Sequence, residues 1–511
     1  MNWLFQQSDW QTPGLVLRVR LRPEVGIEEL PDGGLNVTHV WGTLQFAGID
    51  PRVTATLRRL ASRWVERTEL LSIAAECGTS DVQQIATLVS AHIWCFNRLG
   101  FLFMLQLAWN GRPLLTVEPL SYASSLDLGN AVRESAPRLS RFAFLQRHAE
   151  GLAMESAVST HRVVLHDDWG AALIGTLARE ASQVGAPDLD DPPVAAALDF
   201  LGAAGMLEGR EQIPGAGFGH ELLEMGEFHD LLFHRRSRFG RHDGLFGAEF
   251  PYLGQVPSGP ALAPPLADTA IPLPRPAEDD VRSRDLTLTQ AMERRSSGRD
   301  HGREPLTIAQ LGEFLFRCAR VRGQYGPAAG MPYLASDRPY PSGGGIHDLE
   351  LYLIVSRVQN LPAGVYHYAA GKHALELLPA NEDALAILVR SAMQASAARN
   401  PPQVLIKITS RFARMSWKYR SISYATTLKN VGVLYQTMYL VATALGLAAC
   451  ALGSGDDVAA EQALNLGARS EIAVGEFMLG VAPPKTAAIR NVRSEKDPTW
   501  RSLIEPNWGC D

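Results

Sequence analysis

Alternation opens the chain: Leu15, Leu17, Val19 and Leu21 stand between polar Arg18 and Arg20, the period-two pattern of a half-buried strand. A second strand is predicted around Leu35 to Phe46. Asp50 followed by Pro51 is an N-cap with proline at the first helical position, and it opens a helix through about Arg63. Further helices fit Glu69 to Glu76 and Asp81 to Arg98, and FMLQLAWNGRPLLTVEP then makes two strands about the hairpin dipeptide Asn110-Gly111. Helices followed by a hairpin is the order of a winged helix. A fainter second copy has a strand at Val158 to Leu165, a helix at Trp169 to Glu180 and another opened by Asp191-Pro192-Pro193. The copies close alike, in Phe96-Asn97-Arg98-Leu99-Gly100 and Phe200-Leu201-Gly202-Ala203-Ala204-Gly205. The prediction is two tandem winged-helix-like units, 1–120 and 121–220, in which a strand edge beside a helix can take an extended peptide.

Regular patterning lapses over 221–280. Phe228 to Asp243 gathers His229, His234, His242 and a run of arginines, and Val256 to Asp280 carries Pro257, Pro260, Pro264, Pro265, Pro272, Pro274 and Pro276. The first part reads as a solvated or bridging basic segment, the second as a linker or wrapping arm. Periodicity returns in 281–511 with a helix at Leu288 to Glu293 and strands at Leu349 to Val355, Gly364 to Tyr368 and Val404 to Ser410. From Ser410 a charged, aromatic entry runs into a long uncharged helix that ends at Gly453-Ser454-Gly455. Gln436, Thr437, Thr443 and many Ala and Gly residues suit a helix buried between protein layers better than a membrane span. The class expected is α+β.

Composition narrows the functions. A chain of 511 residues allows about three domains, and 46% hydrophobic with 20% charged residues excludes wholesale disorder. A net charge of −6 offers no footprint for nucleic acid, and Ser80 to Asn97, where a DNA-reading helix would carry basic residues, has no Lys or Arg. Five scattered cysteines with no Cys-x-x-Cys pair and an N-terminus without a signal-peptide pattern point to a reducing, cytoplasmic setting. No metal site is expected: His229 and His234 face different sides of a helix, and Cys77, His92 and Cys95 have no fourth ligand nearby.

Three motifs carry chemistry. Arg295, Ser297 and Arg299 form an Arg-x-Ser-x-Arg pattern that can ligate a phosphate, guanidinium forks binding bidentately while serine donates. Pro341, Ser342, Gly343 and Gly344 precede a buried strand, where bare backbone can approach a flat ligand. It is not a P-loop, since no Gly-Lys-Ser/Thr follows. Lys418-Tyr419 is the third: a tyrosine beside an ammonium has its phenolate stabilised and can serve as a base. Consecutive residues share no face of a helix or strand, so both can reach one site only across irregular backbone.

In this order, with Gly364-Val365-Tyr366-His367-Tyr368, Trp417-Lys418-Tyr419-Arg420 and Leu445-Gly446-Leu447-Ala448-Ala449-Cys450, the motifs over 281–485 resemble nitroreductase-like flavoenzymes, specifically the azoline oxidases of peptide maturation. Phe228-His229-Asp230 to Arg238 is similar to a signature of the same group, whose nearest likeness is a cyanobactin-type thiazoline oxidase. The resemblance implies an FMN-dependent homodimer that oxidises thiazolines or oxazolines of a ribosomal precursor peptide to azoles, with O2 as acceptor and a cyclodehydratase as partner. It assigns the phosphate to Arg295, Ser297 and Arg299, with Lys485 as a further candidate. It sets Pro341, Ser342, Gly343 and Gly344 beside the isoalloxazine, Gly453 and Ser454 at its reactive edge, and Lys418 with Tyr419 as the catalytic pair. The residues alone leave two other readings open, a general NAD(P)H-dependent nitro or quinone reductase and a non-catalytic scaffold.

Overall fold

A computed structural model describes residues 12–75, 82–126, 128, 136–179, 188–209 and 219–484. It divides into two compact units, Met1–Leu245 and Phe246–Asp511.

In the first unit the alternating segment is a strand at Leu15–Leu21, antiparallel to Phe103–Trp109, which turns back into Arg112–Pro119. Asn110 and Gly111 both take positive φ, 47° and 82°, as a twisted two-residue hairpin requires. The Asp50 carboxylate accepts from the Arg52 N–H at 2.9 Å and caps the helix Pro51–Ser62. The single strand expected over Leu35 to Phe46 is instead a hairpin, Leu35–His39 with Gly42–Phe46, because the chain reverses at Gly42, φ 141°. The strand expected from Val158 begins only at His161. Ser159 donates to the Ala204 carbonyl at 2.6 Å and accepts from the His161 N–H at 2.9 Å, folding the residues before it into a turn.

His161–Leu165 lies between Arg112–Pro119 and Gly151–Ser156, and Ala143–His148 forms the sheet's far edge. The two expected copies are therefore joined strand to strand, and one core runs through Leu21, Leu107, Val163 and Phe200. The basic segment also belongs to this unit, and its expected solvation is corrected for Arg235. Arg235 is buried in the helix Phe228–Arg236, where it donates to the carbonyls of Ser156 (2.8 Å) and Arg241 (3.0 Å). Nearby, Arg236 pairs with Glu155, and Asp243 pairs with Arg22 and Arg162. His92 and Cys95 are core residues, His92 bonding Thr56 and the Leu88 carbonyl; Cys77 lies outside the described residues.

The second unit is built on a seven-stranded antiparallel sheet, ordered Ile271–Pro272, Ala374–Leu378, Gly364–Ala369, Leu349–Val355, Val404–Ser410, Ile472–Val481, Leu447–Leu452. Helices Ile308–Ala319 and Ser423–Ala444 cover one face through Phe314, Leu434 and Met438; Glu382–Ser396 and Asp457–Leu464 cover the other through Leu388 and Ala460. Covered on both sides, Leu349–Val355 and Val404–Ser410 are buried at every position. The arm is part of this unit, since Ile271–Pro272 extends the sheet and Glu278–Arg284 is a helix.

The long helix stops at Ala444 and does not reach Gly455. Gly446 takes the left-handed conformation, φ 65°, that ends helices, and Leu447–Leu452 pairs with Ile472–Val481 as an edge strand. Short apolar runs read equally well as helix or buried strand, which is why pattern alone overran the boundary. At 22 residues the helix is about 33 Å long. Among the described residues no helix is long and apolar enough to cross a membrane.

Candidate active site

Lys418 is the last residue of the helix Phe412–Lys418, and Tyr419 leaves it in extended conformation, φ −108° and ψ 140°. This break lets neighbouring side chains turn to one place. A Cβ built on Gly344 would lie 2.2 Å from Lys418 Nζ and 2.7 Å from Tyr419 Oη, so both polar groups converge on the bare backbone of the glycine loop. The irregular backbone that adjacency demands is present. It is held from outside by the segment that begins the second unit: the Phe250 N–H donates to the Lys418 carbonyl at 3.0 Å, and Gly247 exchanges hydrogen bonds with Arg420 at 2.9 and 3.2 Å.

Lys418 is 9% exposed, and its ammonium faces the rings of Tyr333, Tyr419 and Phe250, at 4.6, 5.0 and 5.9 Å from their centroids. Among the described residues no carboxylate pairs with it, and its hydrogen bond goes to the Tyr333 hydroxyl at 2.5 Å. Tyr333 also donates to the Gly344 carbonyl at 2.8 Å. Sequence reasoning passed over Tyr333, because Gly330-Met331-Pro332-Tyr333 has no pattern of its own and its partner lies 85 positions away.

The loop is fixed from below. Buried Asp348 accepts from Ser410 (2.5 Å), Thr427 (3.0 Å) and Asn430 (2.9 Å), and the Asn430 carbonyl oxygen accepts from the Gly343 N–H at 3.1 Å. That amide therefore faces the protein. Ser342 accepts from the His347 N–H at 3.1 Å, and Pro341 is exposed. Gly344 and Gly345 take φ 63° and 68°, where side chains are strained.

The helix Phe412–Lys418 is tied down by two further arginines. Arg414 donates to the carbonyls of Gly259 (3.0 Å), Leu334 (2.7 Å), Ile346 (3.4 Å) and Pro260, while Arg411 reaches Pro260 at 2.6 Å. Burial, and then the neighbouring charges of Arg411 and Arg338, bring the Arg414 pKa down to about 10. Trp417 donates to the Val256 carbonyl at 2.6 Å. The helix carrying Lys418 is thus gripped by residues 247–260.

The Arg-x-Ser-x-Arg motif assembles elsewhere on the long helix. The Ser297 hydroxyl meets the Tyr439 hydroxyl at 3.0 Å, Arg295 stacks on the Tyr439 ring at 5.3 Å, and the Gly298 N–H donates to the Ala449 carbonyl at 2.8 Å. Burial raises the Cys450 thiol pKa, and the charge of Arg299 opposes the rise. Among the described residues neither Arg295 nor Arg299 is paired with a carboxylate. Two guanidinium groups with no carboxylate partner among the described residues, and a hydroxyl, fit a phosphate. Gly453 follows the adjoining strand Leu447–Leu452, with open space where a Cβ would stand, which suits a flat ligand. Tyr439 follows Asn430 by nine residues, about 13 Å along the axis, so one helix serves both clusters. Lys485 lies outside the described residues.

Comparison with known proteins bears on the class. Residues 291–481 match the nitroreductase family, and residues 137–243 match the cyanobactin oxidase ThcOx family. The chain is 27% identical over 170 residues to MJ1384 of Methanocaldococcus jannaschii, a protein with a nitroreductase name, covering 33% of this chain and 80% of that one. It is 34% identical over 115 residues to the microcin B17-processing protein McbC of Escherichia coli (22% and 42% covered), and 30% identical over 142 residues to the trifolitoxin-processing protein TfxB of Rhizobium leguminosarum bv. trifolii (27% and 38%). It thus spans about two fifths of these two peptide-processing relatives. A solved E. coli microcin synthetase McbBCD complex with truncated pro-MccB17 bound aligns over 49% of this chain and 91% of that one, at 23% identity and a TM-score of 0.32.

The second unit contains a nitroreductase-family domain, and the chain is an oxidoreductase. The ThcOx match over residues 137–243, ahead of that domain, makes the chain similar to nitroreductase-like peptide-processing oxidases.

Proposed function

We propose that this protein oxidises thiazoline or oxazoline rings of a ribosomally made precursor peptide to the aromatic azoles, using FMN. The observation that carries the reading is the convergence of Lys418 Nζ and Tyr419 Oη on Gly344. Forming an azole removes a proton from the ring α-carbon and a hydride equivalent from its neighbour, so a base must face the acceptor across the ring. Tyr419 Oη or Lys418 Nζ takes the proton, and the surrounding rings of Phe250 and Tyr333 keep bulk water from it. FMN bound here would supply the hydride acceptor, to be reoxidised by O2. Arg295, Ser297 and Arg299 would hold its phosphate, joined by Lys485; Pro341 to Gly344 would lie beside the ring system, and Gly453 with Ser454 at its edge.

The long helix Ser423–Ala444 leaves Tyr424, Leu428 and Val433 exposed around Lys429, a largely apolar face that supports a homodimer. The edge strand Ala143–His148 supports binding of the peptide as an added strand. A cyclodehydratase must act first, since it makes the azoline from a Cys, Ser or Thr side chain. We place these steps in the cytoplasm.

Incubating the flavin-loaded protein with an azoline-containing peptide tests the reading by mass spectrometry. The expected result is a loss of about 2 Da per ring, reduced at least roughly 100-fold by Lys418→Ala and by Tyr419→Phe. NAD(P)H consumption with nitroaromatics and an unchanged azoline peptide would instead identify a general reductase.

A further inference from the structure

We propose that Tyr333 is a positioning residue of this site, one that locks Lys418 to the glycine loop; the proposal rests on the functional reading above. Tyr333 is 6% exposed, its ring packed with Ala335, Ile346, Met415 and Trp417. A phenol has one hydrogen to give. Here it goes to the Gly344 carbonyl at 2.8 Å, so the contact with Lys418 Nζ at 2.5 Å needs lysine as donor and the phenol oxygen as acceptor. One hydroxyl therefore sets two things together, the direction of one Lys418 N–H and the height of the Gly344 carbonyl.

Those are the two groups whose separation decides whether Lys418 reaches a reactant beside the loop, because Nζ stands only 2.2 Å from the space a Gly344 side chain would fill. Without the hydroxyl, Lys418 keeps an aromatic surround but nothing in it prefers one orientation, since attraction to a ring face is broad in angle. Tyr333 is itself held by its neighbours, with Phe250 at 6.2 Å and Trp417 at 6.3 Å between ring centroids. It lies just ahead of Ala335–Asp337, which is paired with Gly323–Tyr325. Its hydroxyl meets the chemistry through Lys418 and Gly344, so loss of that hydroxyl should act on turnover and leave peptide affinity alone.

Tyr333→Phe keeps the ring and removes both hydrogen bonds. In the flavin-loaded protein we expect unchanged flavin content and thermal midpoint, unchanged KM for the azoline peptide, and kcat lower by about tenfold. In a Lys418→Ala background the same change should cost nothing further, since coupled residues are not additive. A second measurement needs no turnover. Competitive acetylation with acetic anhydride, read by mass spectrometry, should show the rate at Lys418 relative to exposed Lys372 change several-fold in Tyr333→Phe. An unchanged relative rate, or an equal proportional loss of kcat with and without Lys418, overturns the proposal. A wild-type protein that leaves azolines untouched overturns the functional reading instead, and the acetylation rate still decides the role of Tyr333.

Discussion

At the scale of single residues, Gly344 carries the sharpest prediction. Its φ of 63° costs an L-residue about 1 kcal/mol, and the atoms a methyl group would meet are the far ends of the Lys418 and Tyr419 side chains rather than backbone. Gly344→Ala should therefore lower stability only by about that amount in urea titration, while both side chains swing aside and turnover falls by roughly 100-fold or more. A large loss of stability with intact turnover would show that these two side chains do not need their present position. The same position shows what was legible. Three glycines before a strand marked the loop, and Lys-Tyr marked the pair, but nothing local linked them. That link lies in a helix ending after Lys418, and helix ends are set by tertiary partners such as the Phe250 N–H.

Among the elements, the helix Phe412–Lys418 depends on Arg414. Its buried guanidinium bridges the carbonyls of Gly259, Leu334 and Ile346, which come from three separate segments. Arg414→Ala should destabilise the protein by about 2–4 kcal/mol in denaturant unfolding. Arg414→Lys should recover little of this, because an ammonium cannot span carbonyls on two sides as a planar fork does. Full recovery by lysine would mean that charge, not the fork, is what matters. Sequence pattern was most reliable where elements are encoded locally, as in the Asp50 cap and the Asn110-Gly111 turn. It failed at Leu447–Leu452, whose small apolar residues become a strand only because Ile472–Val481 lies alongside. It also read the arm as featureless, since prolines conceal a strand and a helix that exist through their neighbours.

Across the whole molecule, a buried polar row gives a pH dependence. His367 lies between Glu376 at 3.0 Å and Glu350 at 3.4 Å, with Arg411 3.5 Å beyond Glu350. Burial opposes its charge, but the hydrogen bonds and charges of Glu350 and Glu376 prevail and raise its pKa above the ordinary 6.5. A raised value means that folding binds a proton, so this stabilisation is complete below pH 6.5 and is lost as pH rises through the folded value. His301, His347 and His373, lowered by burial, act with the opposite sign and below 6.5. Denaturant unfolding across pH should thus show stability falling above about 6.5, and His367→Gln should flatten that slope. An unaltered slope would assign it elsewhere.

Residues 247–260 also bear on any attempt to dissect the protein. Motifs suggest cutting at 280, where prolines end and recognisable chemistry begins. A fragment 281–511 would retain Arg295, Gly344, Lys418, Tyr419 and Gly453, yet it would lose Phe250, which ties the Lys418 carbonyl, and the carbonyls of Gly259 and Pro260 that Arg414 holds. The oxidase half is therefore longer than its motifs, and the compact unit that holds it begins at Phe246.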